Sequence, residues 1–158
     1  MNLEIEKKFL VKGDFREDVF ESVEITQAYI CSGHGHTVRV RSWGDKGYLT
    51  IKGPSNESGA ARMEWEREIP VDDVVELCML AEPGIIQKTR HLARNTDGVH
   101  TWEIDEFHGD NEGLVVAEIE LADENEAFDK PDWLGEEVTG DERYYNSVLR
   151  KNPYKNWK

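Results

Sequence analysis

Basic residues are scarce in this 158-residue chain: 19 Lys and Arg stand against 33 Asp and Glu, a net charge of −14. A uniformly acidic surface is repelled by duplex phosphates, which excludes an unaided DNA-backbone binder, and no nucleic-acid partner is expected. Long apolar runs are missing too, with nothing near the roughly 18 residues of a membrane span, so no membrane partner is expected. The N-terminus, MNLEIEKKFLV, lacks the basic-then-apolar order of a secretory signal. Cysteine is limited to Cys31 and Cys78, far apart and without metal-ligand spacing. Small apolar fillers in a reducing, cytoplasmic setting are the expectation. Repeats, low-complexity tracts and linkers are also absent.

What is present suffices for one core. Hydrophobic residues make up 38% of the chain, and five each of Trp, Tyr and Phe are too many for a disordered acidic polymer. A chain of this length buries about 70% of the surface its unfolded form exposes, so a single domain over 1–158 is expected. The acid is uneven: residues 1–60 hold 8 basic and 9 acidic side chains, 61–100 hold 5 and 8, and 101–158 hold 6 and 16. An anion-binding surface should therefore draw on the nearly neutral first 60 residues.

Period-two alternation dominates and predicts strands. Leu3–Val11, Ile25–Cys31, Thr37–Trp43, Tyr48–Lys52, Arg62–Ile69, Ile85–Arg94, Val99–Phe107 and Leu114–Leu121 read as eight, mostly adjacent and antiparallel. Ser32–Gly35, 45–47, Asn95–Gly98 and Gly109–Gly113 read as turns, with His34 and His36 exposed on the first. Helical spacing is predicted for Asp14 to about Ser22, with Glu17 at capping-box distance, and for Val71–Ala81, with Asp72 as N-cap. Asp123 with Glu126 should cap a short segment, and Asp141–Arg150 should form a final helix. The fold class is mainly β (α+β): an eight-stranded antiparallel barrel, or tunnel, with flanking helices and a C-terminal helix.

The polar strand faces carry an ordered set of charges. Glu4, Glu6 and Lys8 share one parity on the first strand, Arg39 and Arg41 on the third, Lys88 and Arg90 on the sixth, Glu118 and Glu120 on the eighth. Lys52 ends the fourth strand and Asp105 lies on the seventh. One reading is a solvated face laced with ion pairs of about 0.2–1 kcal/mol each. The other turns these faces inward, giving a lumen of about six cations and five carboxylates. Arg forks and Lys point charges suit polyphosphate, while clustered carboxylates suit the hard cations Mg²⁺ or Mn²⁺, which share oxygen ligands with phosphate.

Glu4-Ile-Glu-Lys-Lys8 resembles the E-x-E-x-K signature of the CYTH superfamily, the triphosphate tunnel metalloenzymes. Further blocks resembling that family follow in order: Gln27-Ala-Tyr29-Ile, Thr37-Val-Arg-Val-Arg41, Tyr48 to Gly53, Glu66 to Pro70, Lys88-Thr-Arg90, Trp102 to Phe107, Gly113 to Glu120 and Thr139 to Asn146. The resemblance spans nearly the whole chain and matches the short bacterial members. It implies an eight-stranded tunnel in which Lys8, Arg39, Arg41, Lys52, Lys88 and Arg90 bind a triphosphate. Glu4, Glu6, Glu118 and Glu120 would hold the metal, with Asp105 as an addition, and Tyr144 and Tyr145 would lie near one mouth. Similar short enzymes place a Tyr beside a tunnel Lys, so Lys8, Tyr29 and Lys88 are the catalytic candidates.

The expected activity is hydrolysis of inorganic tripolyphosphate or of an organic triphosphate such as a nucleotide or thiamine triphosphate. A class IV-type adenylate cyclase would use the same lumen, and a binding-only polyphosphate module would not need both carboxylate pairs. The expected partner is thus a small polyphosphate, and a homodimer is left open. His91 reads as a surface or core residue, Trp65 and Trp102 as packing residues, and Gly33 and Gly35 as turn glycines.

Overall fold

The computed structural model describes residues 2–157. Nine strands and two short helices are found among them. The strands are β1 (Asn2–Val11), β2 (Val19–Gly33), β3 (His36–Trp43), β4 (Lys46–Lys52), β5 (Ala61–Ile69), β6 (Ile86–Arg94), β7 (Thr101–Phe107), β8 (Val115–Glu120) and β9 (Leu134–Glu137). The helices are α1 (Val71–Cys78) and α2 (Asn146–Leu149). The order β5-β4-β3-β2-β6-β7-β8-β1 is closed by pairing of β5 with β1, which makes an eight-stranded antiparallel barrel. Strand β9 pairs with the far end of β1, beyond the stretch that β5 covers.

Closure leaves each strand one face in and one face out. The outward apolar faces of β1, β6, β7 and β8 pack Phe9, Ala93, Trp102, Ile104, Ala117 and Ile119 under Phe15, Trp133 and Leu134. Helix α1 covers β2, β3 and β4, seating Val74 on Ala28 and Val40. A third cluster lies on the inward parity: Ile86, Phe107 and Val116 pack with Leu114, Val138, Tyr144 and Leu149, with Leu10 against them. The C-terminal segment thus fills one end of the barrel with apolar side chains, and the charged inward positions lie beyond that plug.

Several local expectations give way to long-range pairing. Asp14 bonds the Arg16 amide, but only Arg16–Asp18 forms a single 3₁₀ turn, because Val19, Glu21 and Ser22 pair with β6 instead. Pro70, not Asp72, is the N-cap of α1. Asp123 and Glu126 make cap-like bonds to Asn125 and Ala122 that close a turn without a following helix. The final helix is broken into a 3₁₀ turn (Glu142–Tyr144) and α2, separated by extended Tyr145. Strand β9 carries no strong alternation in sequence and forms because β1 offers it a free edge. Trp102 is fully buried, whereas Trp65 is only half-buried and faces outward under Arg67. Cys31 is exposed rather than a core filler.

Candidate active site

The inward positions of the barrel meet around a polar cavity of about 160 Å³. Eleven of the twelve candidate residues line it: Glu4, Glu6, Lys8, Tyr29, Arg39, Arg41, Lys52, Lys88, Arg90, Glu118 and Glu120. Asp105 does not. It lies behind the wall, 1% exposed, with Lys88 Nζ 2.8 Å from Oδ2 and Arg90 donating to both carboxylate oxygens at 2.8 and 2.9 Å. Four charged residues missed in the sequence complete the wall, namely Arg62, Glu64, Glu66 and Glu103. Their signal was available: three alternate on β5, and Glu103 shares the parity of Asp105.

The wall is therefore balanced, with seven basic and seven acidic side chains in place of the six cations and five carboxylates expected from the sequence. Most charges are paired across strands. Lys52 donates to Glu4 at 2.6 Å and stands 3.5 Å from Glu64, and Arg90 meets Glu103 at 2.9 Å. Arg39 and Arg41 share Glu66 at 3.7 and 3.5 Å, and Lys8 lies 3.9 Å from Glu118. Trp43, also of inward parity, stacks against the guanidinium groups of both Arg41 and Arg90. The Nε atoms of Arg39 and Arg41 are buried without a hydrogen-bond partner among the described residues.

Two wall carboxylates, Glu6 and Glu120, form no ion pair among the described residues, and they sit directly opposite each other on β1 and β8. Facing like charges are destabilising. Carboxylate oxygens of Glu4, Glu6 and Glu120 can all lie within 4.8 Å of one another. Burial, with Glu118 close by, pushes the Glu6 carboxyl well above the usual range. Partial burial and the nearby Glu103, Glu4, Glu64 and Glu118 raise Glu120 to about 7. Burial works the same way on Glu4, but the charge and hydrogen bond of Lys52 outweigh it and hold that carboxyl low. Glu118, also buried, is brought down to about 2 chiefly by Lys8.

The cations feel the converse. Burial lowers Lys88 to about 8 despite the opposing charge of Asp105. Arg41 falls to about 10 through burial and the neighbouring Arg39 and Arg90. Lys88 Nζ also donates to Asn146 Oδ1 at 2.9 Å, and the C-terminal segment adds Tyr145, Asn146 and Ser147 to the wall. The loops that bring Gly59 and Gly140 to the wall touch there. Both glycines have positive φ, +80° and +82°, and a side chain on either would collide with the other loop.

The sequence model of the CYTH domain matches residues 2–147. An inorganic triphosphatase of Acetivibrio thermocellus is 54% identical over 159 residues, covering 100% of this chain and 99% of that protein. An inorganic triphosphatase of Nitrosomonas europaea is 35% identical, covering 92% and 95%. A crystal structure of an inorganic triphosphatase superposes with a TM-score of 0.68 at 32% identity, covering 95% of each chain.

Proposed function

This chain belongs to the CYTH domain family, and from that premise we propose that it is a divalent-metal-dependent triphosphatase acting on inorganic tripolyphosphate. The observation that carries the reading is one cavity in which open guanidinium donors stand beside two uncompensated carboxylates. The donors suit phosphate oxygens, and the carboxylates suit a cation.

The wall residues fit a hard divalent ion. Glu4, Glu6 and Glu120, with Glu118 beside them, would hold it, an all-oxygen set suited to Mg²⁺ or Mn²⁺. With every group ionised, the seven basic and seven acidic wall groups sum to zero, so a polyphosphate beside ionised Glu6 and Glu120 needs positive charge beyond what the chain supplies. A bound ion supplies that charge and makes a coordinated water more acidic.

The chain itself does the positioning. Arg39 and Arg41, which line the cavity, would offer guanidinium N–H donors to phosphate oxygens, and Lys52, Arg90 and Lys8 would exchange part of their carboxylate pairing for the substrate. Asp105, whose oxygens are engaged by Lys88 and Arg90, is assigned as their buried counter-ion and not as a metal ligand. It holds both cations upright on β6. Lys88 has three N–H donors; Asp105 and Asn146 take two, leaving one for the cavity. Tyr29, 4% exposed, lines the same wall and presents its hydroxyl to the transferred group. Catalysis here is orientation and charge stabilisation, as befits phosphoryl transfer.

The test is to incubate the protein with tripolyphosphate, ATP or thiamine triphosphate, each with Mg²⁺ or Mn²⁺, and separate the products. Phosphate and pyrophosphate from tripolyphosphate, in preference to the organic triphosphates, is the expected result. Cyclic AMP as the main product from ATP would replace this reading with a cyclase.

A further inference from the structure

Gln27 is completely buried on the inward face of β2, yet its Oε1 has no hydrogen-bond partner among the described residues. An unsatisfied buried acceptor destabilises a fold, and an apolar side chain of similar size would avoid it. The rest of its amide is fully used. Nε2 lies 3.2 Å from Asn146 Oδ1 and 3.2 Å from the Tyr29 hydroxyl oxygen. Asn146 Oδ1 in turn accepts from Lys88 Nζ at 2.9 Å.

The directions of these bonds are forced. An ammonium group only donates, so Asn146 must face Lys88 with its oxygen. That oxygen faces Gln27 as well, so Gln27 must answer with nitrogen; the flipped amide would set two oxygens 3.2 Å apart. Nitrogen toward Tyr29 then makes the phenolic oxygen an acceptor. The Tyr29 hydroxyl forms no other hydrogen bond among the described residues, so its own proton is left for the cavity it lines. The Arg150 guanidinium lies over the Tyr29 ring, 5.8 Å from its centroid.

We propose that Gln27 and Asn146 are positioning residues, a hydrogen-bond relay anchored on Lys88 that turns the Tyr29 hydroxyl proton toward a phosphate oxygen of the bound substrate. The proposal rests on the triphosphatase reading above. It explains why the C-terminal segment enters the wall at Asn146, and why Gln27 keeps an amide whose oxygen bonds to nothing. A carboxylate at 146 would also accept from Lys88, but it would add to Asp105 and cancel the charge the substrate needs.

The test is a mutant cycle on tripolyphosphate hydrolysis with Mg²⁺ or Mn²⁺. Gln27→Met should lower kcat by about 10- to 100-fold with KM within about twofold, and should not lower the melting temperature, since it removes the unsatisfied acceptor. In a Tyr29→Phe background the same substitution should do nothing further, because the proton it orients is gone. Losses that multiply in the double variant, or that fall on KM, would overturn the relay. Side-chain amide exchange by NMR gives a readout independent of turnover. The Gln27 NH₂ protons should exchange slowly in the wild type and faster in Asn146→Leu. Fast exchange in the wild type overturns the relay whatever the activity. Slow exchange in a protein that releases no phosphate would instead remove the triphosphatase reading, and the relay's catalytic role with it.

Discussion

Glu6 and Glu120 show how much one strand register can decide. Opposed on β1 and β8, and without an ion pair among the described residues, they keep protons longer than ordinary carboxylates do. Glu120, raised to about 7, is ionised and able to bind a metal above that pH and protonated below it. The metal concentration giving half-maximal rate should therefore rise as pH falls below about 7, measured by titrating Mg²⁺ or Mn²⁺ at several pH values. Lys88 bounds the other side. Lowered to about 8, it is charged below that pH and neutral above it, so kcat/KM should fall above pH 8. Lys88→Arg should shift that limb upward, whatever it costs in rate. Shared parity in the sequence gathered nine of the eleven candidates that line the cavity, while Lys52 came from its place at a strand end and Tyr29 from the family resemblance. Asp105 had the right parity but the wrong depth, because Lys88 and Arg90 close over it, and depth is set by neighbouring strands that parity does not describe.

Among the elements, the strands of the barrel and helix α1 were legible, whereas the other expected helices were not. Alternation is a property of each strand by itself, and closure of the barrel reinforced it. Helix signals at Asp14, Asp123 and Asp141 were real as side-chain caps, since each carboxylate bonds the amide two residues on. None led to a long helix. Pairing of Val19–Ser22 with β6 took the first, and the need to seat Tyr145 in the cavity wall split the last. The C-terminal segment is held by Leu149, fully buried in the barrel plug. Leu149→Ala should destabilise the protein by about 2–5 kcal/mol, read from denaturant unfolding. Because Tyr145 and Asn146 lie one turn before it, activity should also fall under conditions where the variant remains folded.

At the scale of the whole molecule, the net charge of −14 sits outside a cavity whose wall is neutral. The sign of the total excluded a basic nucleic-acid surface but was silent on a small enclosed polyanion. An acidic exterior slows the approach of free polyphosphate, so moderate salt at fixed free metal should raise kcat/KM by screening that repulsion. The balanced wall makes a stronger demand: once Glu6 and Glu120 are ionised, the cavity has no surplus positive charge for a triphosphate unless a cation sits on them. Phosphate release from tripolyphosphate, followed with and without divalent metal in the wild type and in a Glu6→Gln/Glu120→Gln variant, tests this most directly. Release should require Mg²⁺ or Mn²⁺, stop on chelation, and fall by about 100-fold or more in a variant that still folds. Release that survives chelation, or that persists undiminished in the double variant, would contradict the account.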